Sequence, residues 1–200
     1  MLRTTAGARA LMVLAGVILT VAILALIVNV FRGNGGAASD TSITTTTTQP
    51  VLEVVQLSPI RTDCNSELAA FPCAALVDDD PTNSWNAIDG GVGAEITFLF
   101  SPPVQITEIF IHNLEDEERF LRNARIKGIE VIIDDLPQAT VTELADTNEP
   151  QRVQIRSLRT SSLTLRVTSA YPGQSFEGRE PFRELALQEI TFFGRVSPDA

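Results

Sequence analysis

The chain has 200 residues, with 25 acidic side chains against 15 basic ones and a formal net charge of −10 at pH 7. Arg3, Arg9 and Arg32 are the only charged residues before Asp40, so all of the negative charge falls on the later part of the chain. That excludes a sequence-independent nucleic-acid binder and a module docking on an anionic bilayer, both of which need basic stripes, and two cysteines with one histidine are too few for a closed zinc site.

Residues 10–31 (ALMVLAGVILTVAILALIVNVF) carry no charge. As a helix at ~1.5 Å per residue they would cover ~33 Å, enough for the ~30 Å hydrocarbon core. Arg3 and Arg9 precede the run and only Arg32 follows closely, so the positive-inside rule leaves residues 1–9 in the cytoplasm and everything after the span outside. The expectation is a single-pass protein of the cell membrane, with the lipid bilayer as partner of 10–31. A cleaved signal peptide is the alternative, since Gly36, Ala37 and Ala38 are small enough for a signal peptidase. Signal cores, however, run only ~7–15 residues. No lipidation-box cysteine follows the run.

Residues 32–50 are rich in Gly and Thr and poor in large apolar side chains, so they cannot bury enough surface to fold and read as a disordered linker. The threonine run 44–48 is either an O-glycosylation target or unmodified spacer. From residue 51 the pattern changes to period-two alternation between Gly, Pro, Asn and Asp clusters, the mark of strands. Cys64 and Cys73 lie in this outward part, where a disulfide is expected to close a short loop and add ~2–3 kcal/mol.

Ile96, Phe98 and Phe100 share a strand face that Pro102 and Pro103 should end; Ile109 and Ile111 begin the next strand. Further strands are expected over 126–133, 139–144, 152–155, around Leu163, Leu165 and Val167, and over 187–193. Residues 114–122 (LEDEERFLR) suit a short solvated helical turn with Glu115–Arg119 and Glu118–Arg122 pairs four apart. About eight strands without long amphipathic helices between them indicate an all-β sandwich or jelly roll over 51–196, with a tail at 197–200.

The most specific local feature is Ala74-Ala75-Leu76-Val77-Asp78-Asp79-Asp80-Pro81-Thr82-Asn83-Ser84-Trp85, followed by a Gly-rich turn, Gly91-Val92-Gly93, into Ala94-Glu95-Ile96. This resembles the opening of galactose-binding-like domains of the discoidin or coagulation-factor type C kind. Ile109-Phe110-Ile111-His112-Asn113, Asn123-Ala124-Arg125-Ile126-Lys127 and Glu189-Ile190-Thr191-Phe192 match the version found beside bacterial NAD glycohydrolases, a translocation or glycan-binding domain. The resemblance spans about 54–195 and implies a discoidin-like jelly-roll β-sandwich. Asp79 stands where the family usually has Gly, and Asn83 where it has Thr; both residue types tolerate turn and left-handed conformations.

Asp78, Asp80 and Asn83 offer hard oxygen ligands of the kind Ca²⁺ accepts, and the resemblance implies Glu189 as the residue completing a structural Ca²⁺ site. The competing account is a loop of Asx turns that hydrogen-bonds itself. Trp85, the only tryptophan, reads as a core plug in view of the resemblance. Asn123, Arg125 and Lys127 could bind a polyol or carboxylate and Tyr171 could stack on a sugar, or the first three could pair with the acidic run 115–118. No triad surrounds His112, and neither a Walker nor a dinucleotide-binding glycine pattern is present, so no enzyme is expected. The resulting expectation is a membrane-anchored, extracytoplasmic, non-catalytic module binding glycans of the envelope or environment. The alternative is a protein-interaction or structural module of an envelope complex.

Overall fold

A computed structural model describes residues 53–196. The expected cytoplasmic segment 1–9, span 10–31, linker 32–50 and tail 197–200 lie outside the described residues. Among the described residues no helix is long and apolar enough to cross a membrane.

In chain order the strands are β1 (Val55–Leu57), β2 (Arg61–Cys64), β3 (Trp85–Ala87), β4 (Glu95–His112), β5 (Arg125–Ile133), β6 (Thr140–Glu143), β7 (Gln151–Gln154), β8 (Thr160–Tyr171), β9 (Leu185–Leu187) and β10 (Glu189–Val196). One helix, α1 (Glu117–Arg122), lies between β4 and β5. All named pairings are antiparallel: β1-β10-β4-β8-β5-β6 in order, with β2 and β7 also on β4, and β3 with β9 apart. The expected all-β sandwich is what forms.

The prolines do not end the strand as expected. Residues up to Leu99 pair with β2 and β8, while those from Val104 onward pair chiefly with β10 and β7. Pro102 and Pro103 occupy the register shift between Leu99 and Val104, where a proline costs no ladder bond. One bent strand thus serves both layers of the sandwich. Its buried face then changes phase, because Ile96, Phe98, Phe100, Val104 and Ile106 are buried at even positions and Ile109 and Ile111 at odd ones. The cause is a bulge opposite Phe193 and Gly194 that leaves Thr107 without a register partner on β10, re-aiming every side chain beyond it. Glycine is required at 194, since a Cβ there would lie 1.9 Å from the carbonyl oxygen of Gln105.

The expected last strand is split at Gln188. Its buried side-chain Oε1 accepts the Glu115 N–H at 2.9 Å, and the Gln188 backbone N–H donates to the His112 carbonyl at 3.0 Å. β9 therefore leaves the main sheet and pairs with β3, Leu187 opposite Trp85. Trp85 is fully buried, and Phe98, Phe100 and Phe192 pack edge to face at 4.8 and 5.3 Å between centroids in the same core.

The short helix forms, with Asp116 as its N-cap accepting the Arg119 N–H at 2.8 Å. Glu118 and Arg122 pair as expected, at 2.5 Å. Glu115 and Arg119 do not, because Arg119 turns to Ser84 and α1 is thereby fastened to the loop before β3.

Candidate functional site

Four segments distant in sequence converge on a cleft of about 320 Å³, lined by Leu68, Phe71, Asn86, Arg119, Asn123, Phe182 and Glu184. Leu68 and Phe71 come from the loop between β2 and β3, held by the Leu68 N–H on the Asn86 carbonyl at 3.0 Å and the Asn86 N–H on the Phe71 carbonyl at 3.2 Å. Phe182 and Glu184 come from the segment entering β9. The Phe182 N–H binds the Arg122 carbonyl at 2.7 Å, which ties that segment to the end of α1.

The polar groups of the cleft are ordered by a relay. Arg119 donates from Nη2 to Ser84 Oγ at 2.5 Å, and Ser84 Oγ donates to Asn86 Oδ1 at 3.1 Å. The relay fixes the Asn86 amide with its Nδ2 free of protein acceptors among the described residues. Glu184 adds a half-buried carboxylate. The Arg119 guanidinium stands 5.8 Å from the Phe71 ring centroid, and Arg122 covers one face of Phe182 at 3.8 Å. The cleft thus combines two aromatic faces with amide and guanidinium donors and a carboxylate acceptor. Such a set suits a ring that has an apolar face and a hydroxylated rim. Phe182 also borders a second, shallower depression of about 470 Å³ reaching Asp89, Gly90 and Pro172.

Of the residues named from sequence as ligand or metal candidates, only Asn123 reaches this cleft, and its Nδ2 is spent on the Arg119 carbonyl at 2.8 Å. Arg125 is 2% exposed and is a positioning residue. It pairs with both carboxylate oxygens of Asp146 at 2.6 and 2.9 Å and donates to the carbonyls of Phe120, Leu121, Asn123 and Pro172 at 2.8–3.3 Å. These donations satisfy the carbonyls at the C-terminal end of α1 and hold the helix that carries Arg119. Tyr171 gives its hydroxyl to the Leu144 carbonyl at 3.0 Å, with Lys127 Nζ 5.8 Å from its ring centroid; neither lines the cleft. Sequence reading passed over Phe71, Phe182, Asn86, Arg119 and Glu184. Its one usable signal was phenylalanine beside proline in a loop, at Phe71-Pro72 and Pro181-Phe182.

The acidic loop lies elsewhere. Asp78 Oδ1 accepts the Asp80 N–H at 3.0 Å, Asp80 Oδ1 accepts the Thr82 N–H at 2.9 Å and hydroxyl at 2.7 Å, and Asn83 Nδ2 donates to Asp78 at 2.9 Å. The Thr82 bonds hold the Asp80 carboxyl below the usual carboxylate range. Asp79 has φ 58, a left-handed conformation of the kind tolerated by the aspartate that stands at the family's glycine position. It brings its carboxyl to Glu189, whose proton is retained to higher pH by burial and by the neighbouring carboxylates of Asp79 and Asp78. Both Asp78 oxygens, like those of Asp80, already accept hydrogen bonds from within the loop, the pattern of self-bonded Asx turns. Among the described residues, the acidic side chains close enough to share one ion are not these but Glu67 with Cys64 and Cys73.

Cys64 and Cys73 are free thiols, with Sγ atoms within 4.8 Å of each other and of a Glu67 carboxylate oxygen. The expected covalent bond is not formed, although the fold brings the pair together.

A family model described as the NAD glycohydrolase translocation F5/8 type C domain matches residues 53–193. Among solved structures, the CBM32-3 module from a family 31 glycoside hydrolase of Clostridium perfringens is similar with a TM-score of 0.54 at 12% identity, over 69% of this chain and 90% of that one. The family 32 module of Clostridium perfringens NanJ, solved with galactose, gives 0.50 at 12% identity over 66% and 92%. The family 32 module of AlyQ, solved with 4,5-unsaturated mannuronic acid, gives 0.50 at 11% over 70% and 98%. These likenesses establish the shared fold. No curated protein matches the chain.

Proposed function

We propose that this chain, which belongs to the NAD glycohydrolase translocation F5/8 type C domain family, is a glycan-binding module that takes a sugar ring in the cleft between Phe71 and Phe182. The matched family is a translocation domain rather than the glycohydrolase, and the domain is non-catalytic. The apolar run 10–31 serves as a single-pass anchor and the linker 32–50 as a spacer, so that the module works outside the cell. The observation carrying the reading is the cleft itself, where aromatic faces stand beside the free Nδ2 of Asn86, the Arg119 guanidinium and the Glu184 carboxylate. The second depression beyond Phe182 leaves room for a further sugar unit.

Fold relatives solved with galactose make galactose-terminated oligosaccharides the first probe. Immobilised on a matrix, they should retain the full chain with Kd no tighter than ~10⁻⁵ M, because sugar hydroxyls exchange water for protein partners at little net gain. Glu184→Ala removes a charged acceptor worth about 1.5–3 kcal/mol, roughly tenfold to hundredfold in Kd, with the melting midpoint nearly unchanged. Phe182→Ala should act in the same direction. Unaltered retention by both variants would move the site elsewhere; a parent ignoring every glycan offered would favour the protein-interaction reading.

We also propose a structural Ca²⁺ at the acidic loop, with Glu189 and Asp79 among its ligands and with Asp78 exchanging its bonds to the Asp80 N–H and Asn83 Nδ2 for the ion. Glu189 keeps its proton to higher pH folded than unfolded. Between the ordinary carboxylate range and that raised value the folded chain binds the extra proton, so stability falls as pH rises through the window. At neutral pH, Ca²⁺ at about a hundredfold its Kd should add about 2.7 kcal/mol. Melting curves with Ca²⁺ and with chelator, for the parent and Glu189→Gln, test this: the shift appears in the parent and shrinks in the variant. Coincident parent curves leave the Asx-turn account.

A further inference from the structure

We propose that oxidation joins Cys64 and Cys73, which the structure holds as neighbouring thiols, in a disulfide that closes the loop 65–72 at its base and fixes Phe71 in the wall of the cleft. Cys64 ends β2 and Cys73 opens the 3₁₀ turn at residues 73–77, so the two sulfurs mark where the loop leaves the sandwich and where it returns. They lie within 4.8 Å of each other, close enough for side-chain rotation to bring them to bonding distance.

Between the two cysteines, Asn65 is tied to Gly93 and Glu95 by three hydrogen bonds, while Ser66, Leu68 and Phe71 serve the cleft or the plug beneath it. Ser66 gives its carbonyl to the Trp85 Nε1–H at 2.9 Å, Leu68 and Phe71 bond each other and Asn86, and both line the cavity. Beyond Asn65 the loop is held by scattered hydrogen bonds, several at half-exposed or exposed residues, which open readily. A covalent closure removes that freedom where it matters for Phe71.

The chemistry is thiol–disulfide exchange. The two thiols give up two protons and two electrons to an incoming protein or glutathione disulfide, whose S–S bond breaks to two thiols as the Cys64–Cys73 bond forms. Burial raises both thiols above the ordinary thiol range, so little thiolate exists once the domain is folded. Exchange therefore belongs to the folding stage, and the finished bond, with Cys73 buried, resists reduction. A metal is the rival occupant. Its set would be Cys64, Cys73 and Glu67, but Glu67 Oε2 already accepts the Cys73 N–H at 2.8 Å.

The effect on ligand binding rests on the cleft being the binding site; the bond and its effect on the loop do not. The test uses the full chain, made in an oxidising compartment and isolated under alkylation. No Lys or Arg lies between Arg61 and Arg119, so trypsin leaves both cysteines in one peptide, whereas cleavage after Glu67 separates them. The expected result is two peptides held together until reduced, with a two-hydrogen mass deficit. Hydrogen exchange at the Leu68 and Phe71 amides should be about tenfold slower in the oxidised chain than in the reduced one, and the Cys64→Ala, Cys73→Ala double variant should match the reduced chain. Neither readout involves a sugar, so a failed glycan screen leaves them standing. Two freely alkylated thiols, or stoichiometric zinc on the pair, would overturn the bond; equal exchange in both redox states would overturn its role in the loop.

Discussion

Replacing Asp146 by Ala should destabilise the domain by about 3 kcal/mol, lowering the melting midpoint by about 10 °C. The reason is what remains. Arg125 is 2% exposed and cannot follow its charge into solvent, so the variant leaves a buried guanidinium without its carboxylate. Removing one partner of a buried pair costs about 3–5 kcal/mol. The lower end applies because the Asp146 side chain is 33% exposed and four backbone carbonyls still serve the guanidinium. Those carbonyls give the prediction a second arm. In an isolated ion pair, two hydrophobic replacements are often neutral, but Arg125→Met with Asp146→Leu would also strip the acceptors at the end of α1 of their donor. The double variant should thus be no more stable than Asp146→Ala, and α1 should loosen its hold on Arg119. Urea denaturation of the three chains decides it; a double variant as stable as the parent would show that the pair does not hold the helix.

Trp85→Ala should cost about 3–5 kcal/mol, as expected for emptying a fully buried aromatic site. Trp85 touches both the core and the cleft loop, since it pairs with Leu187 across β3 and β9 and gives its indole N–H to Ser66 at 2.9 Å. Trp85→Phe separates the two roles. It keeps most of the buried area and loses the hydrogen bond, so about 1 kcal/mol is expected, together with a looser loop and weaker glycan retention. Circular dichroism is the suitable probe, because the substitution removes the only tryptophan. A loss below 1 kcal/mol for Trp85→Ala would mean that the site collapses without harm, against its placement at the junction of the two strands.

Local periodicity carried much of the fold. The face made by Leu163, Leu165 and Val167 is buried as its alternation indicates, as are Ile96, Phe98 and Phe100. The resemblance carried by residues 74–85 led to a buried Trp85, and Asp79, at the family's glycine position, adopts the left-handed conformation that its residue type tolerates. Period-two reasoning failed at interruptions. At Thr107 and at Gly128 the register shifts and the buried face changes parity. Either shift depends on a neighbouring strand, and no pattern within one strand encodes it.

The cleft was less legible for the same kind of reason. Arg119 carries a local partner four residues away in Glu115, and sequence reasoning paired them. The fold offers it Ser84 instead, 35 positions earlier in the chain. Arg125 looked like a free donor at a strand end, yet Asp146 and the end of α1 enclose it. Charge, hydropathy and turn chemistry are properties of neighbours along the chain. They determined an acidic β domain preceded by an apolar run long enough to span a bilayer, and the family resemblance added the buried tryptophan. Which side chains meet across 68–71, 86, 119–123 and 182–184, which polar groups are consumed in holding loops and which are left for a ligand, only the tertiary structure decided. Those contacts join segments whose order in the sequence carries no information about their distance in space.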